Sequence, residues 1–452
     1  MGKIASISYA SHNVFNDSHV TITDAKTFSK DNFITLLIGE NGSGKSELLK
    51  SIVQFYRKDQ SDITIWSGMK VVTTGITKQS KWPQKVVAYS LSINDKFPYQ
   101  KNNWDGEESY FYAGLKTTSN TIYIGKYRED LLKCFYLICK DDNREELILK
   151  CLNLMGLPTS FIFKLSFGWE FKKYISIQEE TRSYKELIKG FISTKETKKN
   201  IRIFNLINDT DELDFITSVL DRGRANSHDT LDLQIKLVEK YKDNQTNINN
   251  MKVLISLIDL KILSVSEFSE ISQDDLLNLS SGQFNLIRNI ATLVSQLNDN
   301  SLVIIDEPEI SLHPSWQIKY MDLISKIIKP FKGCHVIVAS HSHLLVTSLP
   351  IDKSNVLISN RKDVISITPF DASPTGWSSD MILYGVFGVL TRGNVAFEAD
   401  LRTVTSLIKN KDDRNDLKLH EAISRLERYA LPGNDPLNEF ITKAKNKIKG
   451  EL

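Results

Sequence analysis

The sequence predicts an α/β fold interrupted by an inserted helical lobe and closed by a helical C-terminal segment. Three observations carry this. An apolar run of strand length, Phe33–Ile38, leads directly into a glycine-rich turn and then a helical pattern from Ser46 to about Tyr56. A second apolar strand, Leu302–Ile305, ends in two adjacent carboxylates, Asp306 and Glu307. Between them, from about Tyr123 to Asp274, glycine is sparse and apolar residues recur at helical spacing, as in Leu254, Leu257, Ile258 and Ile262.

The remaining elements follow in chain order. Ile4, Ile7 and Tyr9 suit a short first strand, and Val20–Thr23 alternates as a second. Lys85–Ser92 is a further strand candidate, followed by Asp95-Lys96-Phe97-Pro98, where Pro98 punctuates the chain. His335–Ala339 is a short apolar strand. Asn355–Ser359 and Val364–Thr368 read as a hairpin. From Ala396 to Leu452 two or three amphipathic helices are expected, broken near Pro432-Gly433. The domain division predicted is residues 1–115 with 275–395, an inserted lobe over 116–274, and a C-terminal segment over 396–452.

At 452 residues the chain is long for one domain, and 41% hydrophobic with 25% charged residues supports a sizeable core. A net charge of +2 supplies no global field toward nucleic acid or anionic lipid. The four cysteines form no C-x-x-C pair and no zinc spacing, which fits small apolar residues in a reducing, cytoplasmic setting. No signal-peptide pattern opens the chain, and no run of eighteen apolar residues predicts a membrane span.

Gly39-Glu40-Asn41-Gly42-Ser43-Gly44-Lys45-Ser46 fits the P-loop pattern G-x-x-x-x-G-K-S/T at every fixed position. Glycines let the backbone curl until successive amides face phosphate oxygens, and the following helix adds its positive end. Lys45 suits the β- and γ-phosphates, and the Ser46 hydroxyl suits Mg²⁺. At the end of the carboxylate strand, Asp306 is a second Mg²⁺ candidate and Glu307 the candidate general base for the attacking water. Leu279-Ser280-Ser281-Gly282-Gln283 precedes that strand and opens a helical run from Phe284 to about Leu297. In isolation it also reads as a helix N-cap. Ser311-Leu312-His313-Pro314 follows the carboxylates, and Ser340-His341-Ser342-His343 follows the next strand. Of these histidines, His341 is the functional candidate, while His313 and His343 read as structural.

The order of these motifs resembles the ABC-type ATPases of the SMC, RecF and OLD group, over residues 1–115 and 275–390. Ser280, Gly282 and Gln283 match the L-S-G-G-Q signature, with Ser281 in place of its first glycine. Residues 311–314 resemble the D-loop, and His341 falls on the switch histidine. Asp95–Pro98, Gly376–Asp380, Ile382–Tyr384 and Val386–Gly388 resemble prokaryotic anti-phage defence ATPases of the Septu and PARIS type. Three departures stand out: no long coiled coil, too little chain after His341 for a TOPRIM nuclease, and no identifiable Q-loop glutamine among Ser92, Asn94 and Asp95.

The resemblance implies an ABC-type fold and ATP hydrolysis with Mg²⁺. It also implies a head-to-tail homodimer or larger homo-oligomer. Lys45, Ser46, Asp306, Glu307 and His341 would act in cis and Ser280 and Gly282 in trans, with Gly39, Asn41, Gly42, Ser43, Gly44 and Gln283 as further nucleotide-binding residues. The first functional expectation is a defence switch controlling a separate nuclease or toxin effector. The alternative is a DNA-binding repair or recombination ATPase using the basic stretch Thr181–Arg202, and a third is an ATP-binding scaffold, against which Glu307 argues.

Overall fold

The computed structural model describes residues 3–10, 12–15, 18–23, 31–57, 63–67, 70–71, 82–92, 94–102, 108–116, 124–178, 182–194, 197–205, 207–208, 210–225, 230–236, 244–272, 275–361, 364–370, 377, 382–383, 395–409, 417–427 and 436–449. The expectations placed on Gly376, Ser378–Asp380, Tyr384, Val386–Gly388 and Pro432-Gly433 lie outside these residues, as do Thr181, Lys195 and Glu196 of the basic stretch.

The N-terminal part forms β1 (Ser6–Tyr9), β2 (His19–Thr21), β3 (Phe33–Gly39), α1 (Lys45–Arg57), β4 (Ile63–Ser67), β5 (Lys70–Val71), β6 (Lys85–Ser90) and β7 (Tyr110–Ala113). The lobe follows with α2 (Ile124–Cys139), α3 (Asp142–Met155), β8 (Ser160–Phe167), α4 (Trp169–Ile175), α5 (Tyr184–Ser193), α6 (Lys198–Asn205), α7 (Asp211–Ala225), β9 (Thr230–Lys236), α8 (Asn244–Asp259), β10 (Leu263–Ser272) and β11 (Asp275–Leu277). The chain then returns through α9 (Ser281–Gln296), β12 (Ser301–Asp306), α10 (Pro314–Ile328), β13 (His335–Ser340), a 3₁₀ turn (His343–Ser348), β14 (Ser354–Arg361) and β15 (Ile365–Pro369). Three helices end it: α11 (Val395–Lys409), α12 (Leu417–Glu427) and α13 (Pro436–Lys449).

The central sheet has seven strands in the order β15-β14-β3-β13-β12-β6-β7. All neighbouring pairs are parallel except the hairpin β14–β15. Strands β3, β6, β12 and β13 are buried along their whole length, as expected where helices or a second sheet cover both faces. On one face, α1 and the small antiparallel sheet β2-β1-β4-β5 close a core that includes Leu48, Ile52, Leu302 and Ile337. On the other, α2, α3, α9 and α10 pack into a core continuous with the lobe.

The lobe is rich in helices, and it also carries the four-stranded antiparallel sheet β11-β10-β8-β9. β8 alternates strictly, with Phe161, Phe163, Leu165 and Phe167 buried and the residues between them half-buried. Phe161, Phe163 and Phe268 pack against Phe135 of α2 in tilted and edge-to-face contacts that join sheet and helices. The boundary expected after residue 274 falls inside this sheet, which continues through Leu277 because β11 pairs with β10. The C-terminal helices share their own small core of Val404, Leu419, Ile423, Leu426 and Ile441. A two-pronged ion pair of Arg425 with Asp400, at 2.8 and 2.9 Å, braces it.

His335, at the start of β13, is fully buried. Its Nδ1 accepts from the Ile4 amide at 3.2 Å, so the ring proton sits on Nε2, 3.0 Å from the Thr35 hydroxyl. Burial, with a smaller contribution from Lys3, pushes its pKa down to about 3. The folded protein therefore holds this ring neutral, while the unfolded chain protonates it near pH 6.5. Between those values the unfolded state binds the extra proton, so stability falls as pH falls. We expect this group to remove about 2 kcal/mol by pH 5. Urea titrations from pH 7 to 4 should show that slope, and H335Q should lack it.

Candidate functional site

The register of three adjacent parallel strands builds the site. Ile38 of β3 lies opposite Ser340 of β13, and Ala339 lies opposite Asp306 of β12. The carboxyl ends of these strands therefore stand level, where open parallel sheets hold ligands. A cleft of about 710 Å³ opens there, lined by P-loop residues with Asp306, Glu307 and His341.

The P-loop turns through left-handed backbone at Gly42 (φ 77°) and Gly44 (φ 96°). Gly39 is required for a different reason: a Cβ there would sit 2.2 Å from the Ser359 carbonyl oxygen. The Ser359 hydroxyl also donates to the Ser43 carbonyl at 2.7 Å. The hairpin β14–β15 thus braces the loop from outside, with Ile365 against Gly44. Lys45 is buried, and its Nζ donates to the carbonyls of Gly39 and Glu40, each at 2.8 Å. Burial lowers its pKa, against the pull of Glu307, Asp306, Glu309 and Glu40.

The Ser46 hydroxyl donates to Asp306 Oδ1 at 3.1 Å. Burial pushes the Asp306 carboxyl up to about 7, the charges of Glu307 and Asp95 adding to it, and the Ser46 bond and Lys45 opposing. A hydroxyl beside a carboxylate so short of positive charge is the hard-oxygen donor set that suits Mg²⁺. Glu307 takes a left-handed backbone conformation, φ 51°, while its amide still donates to the Ala339 carbonyl at 2.9 Å. Such backbone costs about 1–2 kcal/mol for a residue with a Cβ. Successive strand side chains point to opposite faces. The turn at Glu307 breaks that alternation, so both carboxylates line one cleft.

His341 is half-exposed at the cleft wall. Its amide donates to Glu309 Oε1 at 2.8 Å, and its Nδ1 lies 3.0 Å from the same oxygen. The Ser340 hydroxyl donates there too, at 2.7 Å. Further along, Ser342 donates to Gln317 Oε1 at 2.6 Å, and Gln317 Nε2 donates to the Leu312 carbonyl at 2.9 Å. The histidine segment is thereby tied to residues 311–314. His313 has a structural role, capping α10 through its Nδ1.

Ser280, Gly282 and Gln283 are not brought to this cleft, and Ser280 is exposed. Ser280 caps α9: its hydroxyl accepts from the Gln283 amide at 3.2 Å, and its own amide donates to Gln283 Oε1 at 2.8 Å. The capping reading of this segment is therefore correct as far as it goes. Gly282 has an additional constraint, since a Cβ would meet the Ser311 carbonyl oxygen at 2.4 Å.

In the region where no Q-loop glutamine was found, Ser92 and Asn94 line the cleft. Asp95 turns inward to accept from the Phe97 amide and the Tyr112 hydroxyl. Sequence reasoning missed Asn13, Val14, Lys96, Arg361, Val364 and Ile365, which complete the cleft wall. No motif marks them except Lys96, which lies within Asp95–Pro98 but was given no place at the site. Only the hairpin was legible, not its place against the P-loop.

Two family models match the chain. One, described as "AAA domain, putative AbiEii toxin, Type IV TA system", matches residues 140–347, and one described as "ABC transporter" matches residues 26–178. Among curated proteins, the "Retron Vc95 probable ATPase" of Vibrio cholerae serotype O1 biovar El Tor is 24% identical over 75% of this chain and 73% of its own length. The "Septu protein PtuA" of Bacillus thuringiensis is 31% identical over 31% of this chain and 34% of its own length. The "Retron Ec83 probable ATPase" of Escherichia coli is 27% identical over 73% and 67%. An Smc head bound to the C-winged helix domain of ScpA aligns with 81% of this chain and 97% of its own, at 10% identity and a TM-score of 0.33, too low to carry an argument.

The clash at residue 39 gives a direct test of the loop. G39A forces the P-loop and β14 apart, and ATP binding measured by calorimetry should weaken at least about tenfold, roughly 1.4 kcal/mol. The seven-stranded sheet should persist by circular dichroism, since Gly39 closes its strand instead of lying within it. The strand topology, the P-loop within it and the matched cassette model make the chain a nucleotide-binding ABC-type P-loop ATPase.

Proposed function

We propose that this ATPase is the switch of a prokaryotic anti-phage defence system, acting as a head-to-tail homodimer or larger assembly and controlling a separate nuclease or toxin effector. The relatives named as retron and Septu proteins support the defence setting. The single observation that carries the assembly is the position of the signature: Ser280 is exposed, rigidly capped and absent from the chain's own cleft. A second copy can bring that surface to the γ-phosphate.

In this reading the P-loop amides from Asn41 to Ser46 and the Lys45 ammonium hold the β- and γ-phosphates. Binding would draw Lys45 from the carbonyls it now caps. Ser46 and Asp306 would hold Mg²⁺, which when bound neutralises phosphate charge. Glu307 orients and deprotonates the attacking water, and His341 contacts the γ-phosphate. Ser280, Gly282 and Gln283 close the site from the partner copy, so binding favours closure and hydrolysis releases it. The proposed ATPase domain is residues 1–115 with the chain that follows the lobe's sheet, 278–395, and an effector would be met through the lobe or through residues 396–452. Among the described residues no helix is long and apolar enough to cross a membrane.

The DNA-binding alternative has weaker support. In the basic stretch Lys185 is ion-paired with Asp214, and Arg182 donates to Gln178 at 3.0 Å. The ion pair offsets one positive charge, and the second contact occupies a donor that phosphate would otherwise use.

E307Q separates binding from hydrolysis. Its kcat should fall about 10²–10⁴-fold, the usual contribution of a positioned base. Light scattering with ATP should then show twice the monomer mass or a higher multiple. Unchanged turnover removes Glu307 as the base, and an active enzyme that stays monomeric with ATP removes the role of Ser280 in trans.

A further inference from the structure

Glu309 lies two residues beyond the proposed base, and its side chain is buried to 4% exposure. One of its oxygens, Oε1, takes three contacts: the Ser340 hydroxyl at 2.7 Å, the His341 amide at 2.8 Å and His341 Nδ1 at 3.0 Å. Its other oxygen, Oε2, has no hydrogen-bond partner among the described residues. A buried carboxylate with one oxygen unsatisfied is costly. Part of that cost is offset because Glu309 satisfies the buried Ser340 hydroxyl and the His341 amide. The third contact, to the His341 ring, is the one that bears on the cleft.

An ionised carboxylate only accepts hydrogen bonds. The ring nitrogen facing it must therefore carry a proton, which leaves Nε2 directed away from Glu309. The same oxygen also grips the backbone amide of residue 341. Ring and backbone are thus fixed by a single atom, on a histidine whose side chain is otherwise half-exposed at the cleft. The turn that places Glu307 also places Glu309, and the Leu312 amide donates to the Glu309 carbonyl at 2.9 Å.

We propose that Glu309 is a positioning residue for ATP hydrolysis, holding His341 with Nδ1 protonated and Nε2 presented to the γ-phosphate. The proposal rests on the reading of His341 given above. It assigns Glu309 no contact with nucleotide.

A double-mutant cycle on the full chain tests it, with steady-state kcat and KM for ATP measured for wild type, E309A, H341A and E309A/H341A. Misplacing a catalytic contact by an ångström can cost up to about 100-fold. E309A should lose about tenfold or more in kcat with KM within about twofold. The double variant should be no slower than H341A, because Glu309 acts through the histidine. E309Q keeps an acceptor oxygen and should recover most of the loss. If E309A does not fold, E309D runs the same cycle, since it keeps the charge and withdraws the oxygen by one methylene. Multiplicative losses in the double variant, or full kcat in both E309A and E309D, overturn the proposal and leave the histidine's role intact. Wild-type kcat in H341A overturns both.

Discussion

Everything at this site depends on the parallel pairing of β3, β13 and β12. Hydrogen-bond register, not side-chain contact, sets where the P-loop, the histidine segment and the two carboxylates emerge. A one-residue slip between any two of these strands would turn their inward residues outward. The fully buried apolar runs on all three make such a slip expensive. The chemistry is held by a core that takes no part in it.

That arrangement concentrates negative charge. Asp306, Glu307 and Glu309 crowd one strand end, and Lys45 is the cation that faces all three. Lys45 itself is held down by burial and by its own loop's carbonyls. The strand end is therefore locally rich in negative charge, with the Asp306 carboxyl pushed up to about 7, while Lys96 and Arg361 stand farther out on the cleft wall. A polyanion arriving alone would find hydrogen-bond donors on the loop and repulsion at the carboxylates. A polyanion arriving with a divalent cation would relieve both.

Much of this was legible in the sequence because the relevant signals are local. The P-loop needs glycines at fixed spacing, and the strands β3, β12 and β13 are short apolar runs bounded by turns. Three features were not legible. The lobe's sheet was hidden because helical spacing dominates its flanks, although the alternation of β8 was there to be read. The cleft wall from Asn13, Val14, Arg361 and Val364 comes from segments far apart in sequence that carry no motif. Glu309 was unmarked because the role proposed for it depends on a tertiary contact with His341, just beyond another strand. The capping box at Ser280 shows the converse: one pattern satisfied two readings, and local physics settled only the cap.

The packing of Gly282 on Ser311 leaves no gap, since even a methyl group would meet the carbonyl at 2.4 Å. The start of α9 and the segment after the carboxylates are therefore in direct backbone contact. In a head-to-tail pair that contact would belong to two catalytic centres at once, its one end beside its own carboxylates and its other end against the partner's nucleotide. In such a pair the contact at Gly282 would lie on the path between the two nucleotides.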